Sequence, residues 1–80
     1  MDTVDLRSDV PPEANAIEIL VTVIPSNGTI EITTSLDEDE PIVMWNGAKT
    51  ILGAPELRQL FVKKIHPTIH YGILVIQWFK

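Results

Sequence analysis

At eighty residues, with a net charge of -5 and no cysteine, the chain has room for one domain at most, because so short a chain buries only about 60% of the surface it exposes when unfolded. Lack of cysteine excludes a disulfide scaffold and most zinc sites, which leaves a partner subunit or a bound protein as the available support for a thin core. Charge is divided unevenly: residues 1–40 hold ten acids against Arg7, giving -9, and residues 41–80 hold Glu56 against Lys49, Arg58, Lys63, Lys64 and Lys80, giving +4. Such an imbalance lets opposite charges meet on folding, or lets two copies meet head to tail with steering that fades as salt rises; solvated surface is the commoner fate.

Residues 1–14 carry Pro11-Pro12 and acids without a period, which predicts a flexible acidic tail ahead of a single domain over 15–80. The start lacks the basic and apolar runs of a secretory signal. The longest apolar stretch, Gly72 to Phe79, is interrupted by Gln77 and falls short of the roughly 18 residues a membrane helix needs. These features predict a soluble, cytoplasmic protein.

Ala16 to Ile24 is β-branched and nearly continuous, with Ile17, Ile19, Val21 and Val23 on one face of a strand. Pro25-Ser26-Asn27-Gly28 follows, then Thr29 to Leu36, where Ile30, Ile32 and Leu36 alternate with polar residues. Two alternating runs joined through Asn-Gly predict a β-hairpin, 16–24 with 29–36. Beyond the acidic connector Asp37-Glu38-Asp39-Glu40, the Asn46-Gly47 pair predicts a second hairpin over 42–52; Asp39 as N-cap with Pro41 in the first turn makes a helix there the alternative.

Pro55 and Glu56, then Leu57, Leu60, Phe61 and Ile65 at i, i+3, i+4 and i+8, predict an amphipathic helix over 55–65 that Pro67 stops. The chain closes on a strand, 69–79, apolar on both faces: Leu74, Ile76 and Trp78 one way, Tyr71, Ile73, Val75 and Phe79 the other. Being the most apolar strand, it is expected inside the sheet beside 16–24, with Trp78 in the core or at an interface. One helix covers one face of a small sheet, so the second face requires another layer or a partner. The predicted fold class is α+β: a small antiparallel sheet of one or two hairpins, one helix and the C-terminal strand, with ββααβ as the alternative.

Chemistry is sparse. His66 and His70 are four apart, but Pro67 breaks the helix that would bring them onto one ion. Asp37, Glu38, Asp39 and Glu40 lack the spacing and central Gly of a calcium loop. No Ser lies in a nucleophile elbow, and the four glycines stand singly, with no phosphate-binding loop. Glu18 and Glu31 are the candidates for a carboxylate pair across the first hairpin, but register is expected to offset them as solvated residues. Arg58, Lys63 and Lys64 beside Trp78 form the basic cluster, and overall acidity opposes direct nucleic-acid binding.

The sequence therefore predicts no enzyme and no metal or other cofactor. Its leading reading is a non-catalytic protein-interaction module, acting as a homo-oligomer or as a small adaptor or inhibitor of a larger protein, with no membrane partner. The alternative is an acidic mimic of nucleic acid that occupies a DNA-binding protein. Candidate interaction residues are Asp37, Glu38, Asp39, Glu40, Trp45, Arg58, Lys63, Lys64 and Trp78.

Overall fold

Strands form wherever apolar β-branched residues alternate or run on. The computed structural model describes residues 2–34, 41–53 and 58–80. Among them lie β1 (Asp2–Asp5), β2 (Ala16–Ile24), β3 (Thr29–Thr33), β4 (Ile42–Trp45), β5 (Lys49–Gly53), β6 (Gln59–Lys64) and β7 (His70–Phe79). All pairings are antiparallel. They make two sheets, ordered β1-β6-β3-β4 and β5-β2-β7. The inner faces share one buried cluster, to which β2 gives Ile17, Ile19, Val21 and Val23, β3 gives Ile30 and Ile32, β4 gives Met44, and β6 gives Leu60 and Val62. Each such side chain, fully buried, contributes about 1.5–3 kcal/mol.

The fold is thus all-β, which corrects the α+β expectation and its ββααβ alternative: among the described residues there is no α-helix. Residues 54–57 lie outside the described part, but from Gln59 onward the segment expected as a helix is β6. Two causes act together. Arg58 has φ 53°, a left-handed conformation that no α-helix running through it accommodates. And Leu60 and Val62 alternate into the core while Phe61 and Lys63 point away, so β6 pairs with both β1 and β3. A helical reading places Val62 off the apolar side; the strand buries it completely.

Neither expected hairpin exists. β2 and β3 belong to different sheets, joined through a cis Ile24–Pro25 peptide and a turn in which Gly28 N–H donates to the Pro25 carbonyl at 2.9 Å. Their apolar faces oppose one another across the core instead of lying side by side. Space at position 28 is tight: a Cβ there would lie 3.1 Å from Val23 Cγ1 and 3.3 Å from Ile69 Cδ1, so these side chains would have to shift by a few tenths of an ångström. The 42–52 segment likewise splits, β4 pairing with β3 and β5 with β2. Gly47, at φ 85°, turns the chain from one sheet to the other. There its N–H donates to the Val21 carbonyl at 2.8 Å, Val21 N–H donates to the Ala48 carbonyl at 2.9 Å, and Val23 N–H donates to Asn46 Oδ1 at 3.0 Å. The corner thus continues the β5 side of β2.

The N-terminal segment, expected as a tail, is packed. β1 pairs with β6, and Leu6, Val10 and Ala14 are buried with the core. Leu6 N–H donates to the Arg58 carbonyl at 2.9 Å and Asn15 N–H to the Phe79 carbonyl at 2.7 Å. Three apolar residues four apart, each in a polar stretch, carry too little periodic signal to mark a core segment. β7 lies beside β2, but at the edge of its sheet and not inside it.

Candidate interaction surfaces

Because side chains alternate along a strand, burying Ile17, Ile19, Val21 and Val23 turns Glu18, Leu20, Thr22 and Ile24 outward. Register then places Ile51 beside Glu18 and Lys49 beside Leu20 on β5. On β7 it places Gln77 beside Glu18, Leu74 beside Leu20, and His70 beside Ile24. Ile51 and Leu74 are each 60% exposed and Ile24 is 68% exposed. Gln77 Nε2 donates to Glu18 Oε1 at 2.7 Å, holding that carboxylate at the centre of the face. The register shifts between Glu18 and Ile19, which inserts Ile76 as an extra, exposed residue of β7. The outer face therefore sets Leu20, Ile24, Ile51 and Leu74 among Glu18, Thr22, Lys49, Gln77 and His70, while the second sheet covers the inner face.

The opposite outer face is more polar. It carries Thr29, Glu31 and Thr33 of β3, Val43 and Trp45 of β4, Gln59, Phe61 and Lys63 of β6, and Thr3 and Asp5 of β1. Glu31 stands directly opposite Lys63, so a residue of the acidic half and one of the basic half are neighbours across two strands of one sheet. Asp5 is drawn down to about 2 by hydrogen bonds from the Arg7 side chain and backbone, with Arg7 Nη2 at 2.7 Å from Oδ2. At the side where β1 and β7 are the edges, Tyr71 Oη donates to Asp2 Oδ2 at 3.0 Å. Burial first, and that hydrogen bond second, push the Tyr71 hydroxyl up to about 12.

The residues singled out from the sequence do not converge. Asp37, Glu38, Asp39 and Glu40 lie outside the described residues. Trp45, 58% exposed, is on the polar outer face, and Trp78, opposite Ile17, is 40% exposed at the rim, not in the core. Arg58 serves the fold: its Nη1 donates to the Val10 carbonyl at 3.2 Å. Lys63 and Lys64 are successive residues of β6 and so point to opposite faces. The basic cluster expected along one helix is dispersed by the strand. Glu18 and Glu31 occupy different sheets and face away from each other, which removes them both as a carboxylate pair and as one phosphate-like surface.

Among the described residues no group of three or more His, Asp or Glu is placed to hold a metal ion, and no helix is long and apolar enough to cross a membrane. An open cleft of about 350 Å³ is lined by Asp2, Val62, Lys63, Lys64 and Pro67, with its one carboxylate engaged by Tyr71. What sequence reasoning missed is the outward set Leu20, Ile51 and Leu74. The signal was the apolar triplet Ile19-Leu20-Val21, which leaves Leu20 on the face of β2 that Glu18 and Thr22 share. No family model, characterised protein or solved structure matches this chain.

Proposed function

We propose that this protein is a non-catalytic interaction module, a soluble protein of the cytoplasm that works by docking, either as a homo-oligomer or as a small adaptor or inhibitor of a larger protein. One observation carries the reading: the outer face of β5-β2-β7 presents Ile51 and Leu74 to solvent at 60% exposure beside the partly buried Leu20, with Ile24 exposed further along β2. Apolar surface left in water is free energy that association recovers, at about 25 cal/mol for each Å² buried. The other outer face sets its exposed Val43 and Trp45 among Thr29, Glu31 and Lys63, so the docking function is assigned to the β5-β2-β7 face.

The test compares wild type with Leu74→Lys, a substitution at an outward position that leaves the core intact. Native mass is measured by sedimentation, alone and with proteins captured on the immobilised chain from source cells. The expected result is a self-associated or captured species that Leu74→Lys loses while its circular dichroism is unchanged. A wild type that is monomeric, and whose captured proteins are the same as those of Leu74→Lys, would overturn the reading.

A further inference from the structure

On the reading that the outer face of β5-β2-β7 is the docking surface, we infer that its occupant is a second copy of this chain. That copy packs face to face about a two-fold axis running along the Leu20–Ile51 diagonal. Four outward residues form the corners of a near-rectangle: Leu20 beside Lys49 across the β2–β5 pairing, and Glu18 beside Ile51 two residues further along. One diagonal is apolar, Leu20 to Ile51. The other is charged, Lys49 to Glu18. The sides are about 4.8 Å across strands and about 6.6 Å along them, so folding the figure over its apolar diagonal nearly superposes the two charged corners.

A two-fold axis on that diagonal does this between copies. Leu20 meets the partner's Leu20, Ile51 meets the partner's Ile51, and Lys49 comes opposite the partner's Glu18, twice per dimer. Strands of the two copies then cross at about 70°, nearer the orthogonal than the aligned way for sheets to stack. Leu74, beside Leu20 in the same row, comes opposite the partner's Thr22, so the apolar contact across the axis is made by Leu20 and Ile51. Lys49 has no ion-pair partner among the described residues, and Glu18 has one oxygen held by Gln77, which leaves the other free to accept from an ammonium. A patch that offers each of its charges the opposite one under its own symmetry is suited to itself before any other partner.

The competing self-contact is edge pairing through β7. Ten residues long and at the edge, β7 offers a free row of backbone groups. The extra residue Ile76 at the register shift reverses the alternation partway along, so a symmetric antiparallel pairing through it would set inward residues against outward ones; bulges of this kind protect edges. The face is preferred for that reason. Crossed in this way, two faces each three strands wide overlap over roughly 200 Å² per copy, about a quarter of a standard interface, so the dimer is weak and depends on concentration.

Sedimentation equilibrium from micromolar to several hundred micromolar tests this on the full chain, with circular dichroism as the check on folding. Wild type is expected to dimerise reversibly. Lys49→Glu and Glu18→Lys, each made alone, set like charges opposite one another twice per dimer and are expected to raise the dissociation constant about tenfold. The doubly substituted chain is expected to recover wild-type association, and the two single variants, mixed, to pair with one another in preference to themselves. Trp45→Ser, on the other sheet, is expected to change nothing. A monomeric wild type overturns the second copy as occupant while leaving capture of a different protein through Leu74 to stand or fall by its own test. Dimerisation that ignores both charge substitutions, or that responds to Trp45→Ser instead, overturns the proposed face and axis.

Discussion

Tyr71 is the only tyrosine, so its ionisation is read directly from tyrosinate absorbance. Its hydroxyl is raised from 10.0 to about 12 in the folded chain by burial and by the bond to Asp2. A group whose folded pKa exceeds its unfolded value contributes stability that is complete below the unfolded value and lost as pH rises through the folded one. Stability from this contact is therefore expected to be constant up to about pH 10 and to disappear towards pH 12. The absorbance midpoint should fall toward 10 in denaturant, and part of the way in Asp2→Asn. A native midpoint equal to the denatured one would show that Tyr71 does not close the β1–β7 side. Leu6 is a second test at this scale. It is 2% exposed, and Leu6→Ala is expected to cost about 2–5 kcal/mol. In a domain of this size each 1 kcal/mol lowers Tm by about 4–8 °C, so the variant should melt at least 8 °C below wild type. An unchanged melt would return residues 1–14 to the status of a tail.

Strands, unlike residues, were legible or not according to whether their partners were. β2 and β7 announce themselves by long apolar runs, and β3 by alternation, because a strand's own side chains carry that signal. β6 does not, since Leu60, Phe61 and Ile65 suit a helix as well as a strand until β1 and β3 supply two ladders of backbone partners. The β3–β6 pairing also sets Glu31 opposite Lys63. Opposite charges directly across an antiparallel pair stabilise it and like charges destabilise it, by about 0.2–1 kcal/mol. Lys63→Glu is expected to lower the urea midpoint by that margin, and adding Glu31→Lys should restore it. If the single and double variants unfold alike, the two strands are not in this register.

At the scale of the whole molecule, each of the five pairings joins a strand from residues 1–40 to one from residues 41–80: β1 with β6, β2 with β5 and β7, and β3 with β4 and β6. The acidic half and the basic half are interleaved within one fold. Segments from the half that carries -9 and the half that carries +4 thus lie strand against strand. Neither half holds a sheet of its own. Separate peptides 1–40 and 41–80 are expected to be unfolded alone and to recover β-sheet circular dichroism on mixing, at a rate that falls as salt screens their attraction. Either peptide folding by itself would contradict the interleaving.

Composition and periodicity alone determined that the chain has no cysteine chemistry, that strands lie within 16–24, 29–36 and 69–79, and that apolar surface exceeds what one covering layer can hide. Those properties reside in single segments, where side-chain alternation is a local quantity. Which strand lies beside which was decided only by the tertiary structure. Asn27-Gly28 and Asn46-Gly47 are compatible with a hairpin and with a corner between sheets, and the choice depends on whether the flanking apolar faces gain more by lying side by side or by facing one another. Here β2 faces β3 across a core that neither could enclose alone. The same non-local condition turned 59–64 into a strand, drew Leu6 and Val10 inward, and left Leu20, Ile51 and Leu74 outside.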